Sequence, residues 1–447
     1  MIASQPESDL SRHAGGSDST RSTAGREWWL VACLTIVSML AMIDKNLIQL
    51  MVTQIKQDIG LTDVQISVLI GAAFAVANML AGLPAGWLAD RISRRGIVIT
   101  GVIVWSLATS ASGLVTTYMG LFLARATIGL GEGVIPPAAY SLLRDGVATV
   151  RRARALALYS AATTAGAGIA LVTVGALIGF ITSHGIESIP VVGAIRPWQL
   201  ALVLIGLAGL PVGLLLVSLP KVERQHSQAA VSTTSFGDAI RFMTERRRVF
   251  VPLIVYGLMH SMMMATMGSW VPALIGRKFG LPPQQLGAIL GSMLIVLGPG
   301  GLMIVGWAID RLQSRGLPSA PVVAFAGSLI LAGAAVVMPQ IETLALFWPI
   351  EAIVVAVTTP FLVVTSVVAA QETPPEMLGK VMAIILFLQA LVGPACAPTI
   401  AALFSDHVYV GSPNALGNAI STVAAVYGSI GTVMAFVLWR AMRHGRS

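Results

Sequence analysis

Gly86-Trp87-Leu88-Ala89-Asp90-Arg91-Ile92-Ser93-Arg94-Arg95-Gly96 returns 220 residues later as Gly306-Trp307-Ala308-Ile309-Asp310-Arg311-Leu312-Gln313-Ser314-Arg315-Gly316. Six of the eleven positions agree, and the same offset pairs Leu61, Gln65 and Gly71 with Leu281, Gln285 and Gly291. The chain is an internal duplication. Each cationic turn lies between two long apolar stretches, where the halves of a duplicated membrane bundle link adjacent helices on one face of the bilayer.

Composition places those stretches in lipid. Of 447 residues, 55% are hydrophobic and only 11% charged, and the mean hydropathy is +0.82. A soluble domain carries about a quarter charged residues. An α-helical span needs roughly 20 apolar residues, and twelve are predicted: 28–55, 62–89, 96–115, 118–142, 152–182, 198–219, 249–276, 284–309, 318–339, 344–370, 379–404 and 415–441. The expected fold is all-α and integral to the membrane, with twelve transmembrane helices in two pseudo-symmetric six-helix bundles, 28–219 and 249–441. Residues 1–27 lack an apolar signal-peptide core and are expected to form a disordered cytoplasmic tail. A linker, 220–248, joins the halves, and 442–447 form a short cytoplasmic tail. Within the linker, Phe236 to Phe242 form either a short amphipathic helix on the membrane surface or part of a solvated connection.

Charge sets the orientation. With the N-terminus inside, 22 of the 28 Lys and Arg residues fall on cytoplasmic segments, whereas Lys56, Arg196, Arg277 and Lys278 fall outside. This bias places both termini in the cytoplasm of a multi-pass inner-membrane protein. The net charge of +8 is dispersed over these segments and forms no single patch, which excludes nucleic acid as a partner. The six histidines are scattered and no nucleophile motif occurs, so an enzyme is not expected. Cys33 and Cys396 both lie within apolar spans and make neither a disulfide nor a complete metal site. No cofactor or metal is expected. The remaining functional classes are a secondary transporter, expected to be monomeric and to handle a small-molecule substrate, protons and membrane lipids, and a membrane sensor on the same scaffold.

The repeated turns have a physical task. Asp90 can accept hydrogen bonds from helix-end N–H groups or pair with arginine, while Arg91, Arg94 and Arg95 can hold carboxylates and lipid phosphates. Gly86 allows close helix approach. With Gly306, Asp310, Arg311 and Arg315 in the second copy, these residues form a candidate conformational gate.

Charges at lipid depth cost at least a few kcal/mol unless paired or hydrated, which makes them functional candidates. Asp44, Lys45, Arg125 and Glu132 qualify. A rise of about 1.5 Å per residue puts Arg125 at ~10 Å, Asp44 at ~18 Å and Glu132 at ~21 Å below the outer surface, close enough for one cavity. Arg125, Gly129, Glu132 and Pro136 share one helix face, with Gly129 leaving room for a ligand or for the first span. Asp44 and Glu132 are candidate protonation sites, and Arg125 would alternate between a carboxylate and an anionic substrate group. Lys45 would attract the same group or snorkel outward. His260, Met264 and Met267 share a face of the seventh span and could form an apolar substrate wall or ordinary packing. Glu351, beside Pro349 near the outer surface, is either a second cavity acid or an interfacial one.

The stretch from Gly86 to Arg95 resembles the signature turn between the second and third helices of the major facilitator superfamily, with Ser93 where that pattern has glycine. A closer similarity, to bacterial spinster-like transporters, rests on Ile43-Asp44-Lys45, on Ala124-Arg125-Ala126-Thr127-Ile128-Gly129-Leu130-Gly131-Glu132-Gly133, and on Gln371 through Pro398-Thr399. Lys45 stands where those proteins usually carry arginine. The resemblance implies alternating access and an amphiphilic cargo such as a lysophospholipid, with Arg125 and Lys45 near its head group. A proton symporter for a small organic anion, such as an aromatic or sugar acid, is the competing reading.

Overall fold

The computed structural model describes residues 16–186, 188–189, 193–219, 222, 235–315 and 319–444. The first half contains α1 (Gly16–Ile59), α2 (Asp63–Ile70), α3 (Ala72–Arg91), α4 (Arg94–Ser112), α5 (Tyr118–Gly133), α6 (Ile135–Gly146), α7 (Thr149–Ser183) and α8 (Pro197–Leu215). A two-stranded hairpin, Ser188–Ile189 with Gly193–Ala194, sits between α7 and α8. The linker supplies α9 (Phe236–Glu245). The second half contains α10 (Arg247–Phe279), α11 (Pro283–Gln313), α12 (Ser319–Val337), α13 (Leu344–Thr358), α14 (Phe361–Glu372), α15 (Pro375–Leu403) and α16 (Ala415–His444).

Among the described residues, eleven helical segments are long and apolar enough to cross a bilayer. The segment expected at 118–142 is present as α5 and α6, of 16 and 12 residues, each short of a span by itself. Its break follows from Pro136 and Pro137, which lack the N–H groups that would continue the helical ladder. Pro360 separates α13 from α14 for the same reason. Gly71 separates α2 from α3 at a point where its missing Cβ admits the Pro394 carbonyl of α15.

The tail departs from its expectation, and the linker takes one of its two alternatives. Helix α1 begins at Gly16, well before residue 28, so only 1–15 of the expected tail lie outside the described residues, together with most of the linker, 220–221 and 223–234, and the terminal 445–447. The stretch from Phe236 is helical, capped by Ser235, whose hydroxyl accepts from the Asp238 N–H at 3.1 Å while Asp238 accepts from the Ser235 N–H.

The apolar core has an informative shape. One buried cluster draws on both halves, uniting Leu47–Ile70 and Leu171–Ile181 with Met262–Ile275, Leu286 and Leu290. Two further clusters are confined to one half each, around Leu30–Val37 with Ile135–Leu143 and around Phe250–Tyr256 with Val364–Ala369. The shared cluster lies toward the end bearing Lys56 and Arg277, which the charge distribution assigns to the outside and which is called the outer end below. Contact there is glycine-mediated: Gly168 and Gly291, and Gly175 and Gly287, bring the α7 and α11 backbones together so closely that a Cβ on Gly291 would stand 2.6 Å from the Gly168 carbonyl.

Candidate functional site

Asp44 and Lys45 are neighbours on α1, about 100° apart around the helix, so they address different partners on α5. Asp44 is fully buried and accepts hydrogen bonds from Arg125 Nη1 at 3.0 Å and from the Thr109 hydroxyl of α4 at 2.9 Å. Lys45 Nζ lies 3.0 Å from Glu132 Oε2. Arg125 and Glu132 are two turns apart on one face of α5, and the long arginine and lysine stems close the difference in height. Both cations rest on the Phe74 ring of α3, 4.8 Å from Lys45 Nζ and 5.3 Å from the Arg125 guanidinium carbon. Arg125 Nε also donates to the Leu69 carbonyl at 3.4 Å. Glu132 Oε1 is buried without a hydrogen-bond partner among the described residues.

The four charges predicted at lipid depth thus form two crossed acid–base pairs. Lys45 is 30% exposed and ion-paired to Glu132. Gly129 faces neither ligand nor α1, because its Cβ position is filled from α3 by the Phe74 carbonyl at 2.5 Å and by Ala77. It is a packing glycine that presses α3 and the Phe74 ring against the ion pairs.

His260 is placed elsewhere. Its Nδ1–H donates to the Tyr256 carbonyl at 2.9 Å, and the Ser328 hydroxyl lies 3.1 Å from Nε2. The Tyr256 and Phe361 rings flank it at 4.3 and 6.0 Å. Both ring nitrogens are engaged within the second half, and the structure does not bring His260 to the charged pairs. Met267 is buried in the core shared by the halves, whereas Met264 is 37% exposed. Glu351 is buried in α13 with Oε2 unpartnered among the described residues.

The cationic turns differ from each other. Arg94 is buried, 2.5 Å from Asp145 Oδ2 at the end of α6, and also donates to the Ser141 hydroxyl at 2.9 Å. Arg95 donates to the Leu219 carbonyl at 2.7 Å and to the Val217 carbonyl. Burial pushes the Asp145 carboxyl up, but hydrogen bonds from Arg144 and Arg94 outweigh it and hold the group below the ordinary carboxylate range. Arg91 is exposed, and the side chains of Gly86 and Asp90 lie outside the described residues. In the second copy Trp307, Asp310, Arg311 and Arg315 are exposed and Gly306 is half-buried. The first turn is fastened within its own half; the second meets solvent.

One charged centre escaped the sequence reading. Asp63, at the start of α2 and buried, receives both Nη groups of Arg277 from α10 at 2.8 and 2.9 Å, Lys56 Nζ at 2.5 Å and the Ser405 hydroxyl at 3.1 Å. Next to it, the Val64 N–H donates to Asp406 Oδ2 at 2.8 Å, and Ser67 meets Thr399 at 3.1 Å. These bonds join the halves at the outer end, on the floor of a 770 Å³ cavity. The only signal in the sequence was Thr62-Asp63-Val64-Gln65, a capping box that marks a helix start and says nothing about what Asp63 faces.

The sequence profile of the Major Facilitator Superfamily matches residues 34–398. An MFS-type efflux pump of Mycolicibacterium smegmatis is 25% identical over 416 residues, 91% of each chain. The sphingosine-1-phosphate transporter of Mus musculus is 24% identical over 254 residues, 55% of this chain and 43% of that one. The crystal structure of a bacterial homolog of the human lysosomal transporter Spinster, inward-facing and unoccupied, superimposes with a TM-score of 0.80 at 20% identity, covering 94% of this chain and 97% of that one. A profile match over most of the length, the duplicated cationic turn and the two-half helical fold agree: this chain is a transporter and belongs to the major facilitator superfamily.

Proposed function

We propose that this transporter is proton-coupled, works by alternating access, and moves an anionic amphiphile of the lysolipid kind. The observation that carries the reading is the pair of crossed ion pairs, Asp44–Arg125 and Lys45–Glu132, with both acids and Arg125 buried and one Glu132 oxygen unpartnered among the described residues. An anionic head group that draws Arg125 or Lys45 away leaves a carboxylate in low dielectric without its counter-charge. That state is costly, and taking up a proton relieves it. Substrate binding and protonation are thereby linked at each acid. The relative that handles sphingosine-1-phosphate supports a phosphate-bearing amphiphile, and the joined outer end with divided cores beyond it supports a state closed to the outside.

Purified protein in liposomes tests this. With an imposed pH gradient, uptake of a lysophospholipid should accelerate, and Asp44→Asn and Glu132→Gln should each abolish the acceleration. Wild-type coupled transport in both variants would refute the coupling. A parallel screen with a sugar acid and an aromatic acid decides the substrate: transport of these and not of lysolipid would replace the amphiphile with a small organic anion.

A further inference from the structure

The first two turns of α10 and the last turns of α16 lie side by side and enclose a cleft of about 800 Å³. Its rim carries Arg247 and Arg248 from α10 and Arg440 from α16, and its wall is Val251, Pro252, Met434 and Val437. Arg247 and Arg248 are exposed, and their side chains make no hydrogen bond or ion pair among the described residues. A second hollow of about 460 Å³ adjoins them, with Glu245 as the acid on its edge. Two cations held side by side at one helix start repel each other, and the helix dipole adds partial positive charge there. Below the charges the cleft is apolar, and Val251 and Val437 are exposed along it.

Surrounding residues fix the depth. Arg440 and Arg443 lie over the Phe436 and Trp439 rings at 5.9 and 5.7 Å, an aromatic–cationic edge of the type found at membrane interfaces. Helix α9, immediately before α10, buries Ala239 and Met243 and leaves Phe236 and Ile240 exposed, as a helix lying on the bilayer surface would. The three arginines therefore stand at head-group level with an apolar channel leading toward the acyl region.

We propose that this cleft is a binding site for one anionic membrane phospholipid, its phosphodiester held by Arg247, Arg248 and Arg440 and its acyl chains lying against Val251, Met434 and Val437. Basic pockets between transmembrane helices bind lipid head groups in this way. The site is on the periphery of the second half and is independent of the acid–base pairs of α1 and α5. Its occupant is a ligand that stays with the protein, distinct from the transported molecule.

Native mass spectrometry on the delipidated full-length protein, titrated with phosphatidylglycerol, tests this. Wild type should retain one phosphatidylglycerol and not phosphatidylcholine. The triple variant R247Q/R248Q/R440Q should bind it roughly a hundredfold more weakly, as each surface cation contributes about fivefold, whereas the Lys triple variant should restore most of the affinity. Arg154→Gln, an exposed arginine in the other half, should leave binding unchanged. Val251→Trp fills the channel without touching the charges and should also weaken binding, which keeps the test decisive if the triple variant fails to fold. Equal phosphatidylglycerol retention by wild type, the triple variant and Val251→Trp would overturn the proposal. So would thermal stabilisation by inorganic phosphate equal to that by the lipid, since a free anion would then satisfy the site.

Discussion

Asp44 shows what a single buried charge demands. Its carboxylate is neutralised by Arg125 and further bonded to Thr109, and both charged side chains are almost wholly out of solvent. Removing one member of such a pair costs about 3–5 kcal/mol, because the other is left charged and unpaired. Asp44→Asn should therefore lower the unfolding free energy by about that much, and adding Arg125→Gln should recover a large part, a coupling that denaturant titration of the single and double variants would measure. Thr109→Val should cost only about 1 kcal/mol, one hydrogen bond's worth. Asp145 yields a pH prediction. Its folded carboxyl titrates below the ordinary range, so its stabilisation is fully present above the unfolded value of about 4 and fades as pH falls toward the folded one. Asp145→Asn should thus be destabilised relative to wild type at pH 7, and the gap in melting temperature should narrow at pH 3.

At the scale of elements, the glycine-lined contact of α7 with α11 is the seam between the halves. A β-branched side chain at Gly291 would drive into the Gly168 carbonyl and Val172, with contacts of 2.6 and 2.7 Å to its first carbon alone. Overpacking of this kind costs typically about 1–3 kcal/mol in a core, but here that cost falls on the closed outer end and spares the fold of each half. Gly291→Val should retain helical content by circular dichroism while losing transport, and Leu274→Cys, buried at the outer end, should become open to a thiol reagent in that background. Unchanged labelling would mean that the seam tolerates the larger residue.

For the whole molecule, Asp63 is the tie between halves. Arg277 is its only partner among the described residues drawn from a transmembrane helix of the second half with full charge, and the geometry is bidentate. Losing about 3 kcal/mol from one of two conformations moves their ratio roughly a hundredfold. Asp63→Asn and Arg277→Gln should each raise labelling of Leu274→Cys sharply. The cationic turns make a different contribution. Arg94 and Arg95 are spent inside the first half on Asp145 and on the segment that follows α8, while Ser314 stands where Arg94 would be in the second copy and Arg311 and Arg315 remain exposed, so two turns that share six of eleven positions do unequal work.

The duplication, the membrane fold and the identity of the four charges that pair between α1 and α5 were legible in the amino-acid sequence. These rest on rules that operate along the chain: apolar length for a span and the cost of an unpaired charge in lipid. Which base meets which acid was not legible, since Lys45 reached Glu132 and Arg125 reached Asp44 only once α1, α4 and α5 were packed. His260 read as a site residue and is a satisfied core histidine, because its partners Tyr256 and Ser328 come from packing that periodicity does not encode. Asp63 went unnoticed for the converse reason: the residue looks like an ordinary helix start, and its meaning comes from Arg277, 214 positions away. Local chemistry fixes what a helix is and where it sits in the bilayer; the pairing of charges between helices depends on distances that only the assembled bundle sets.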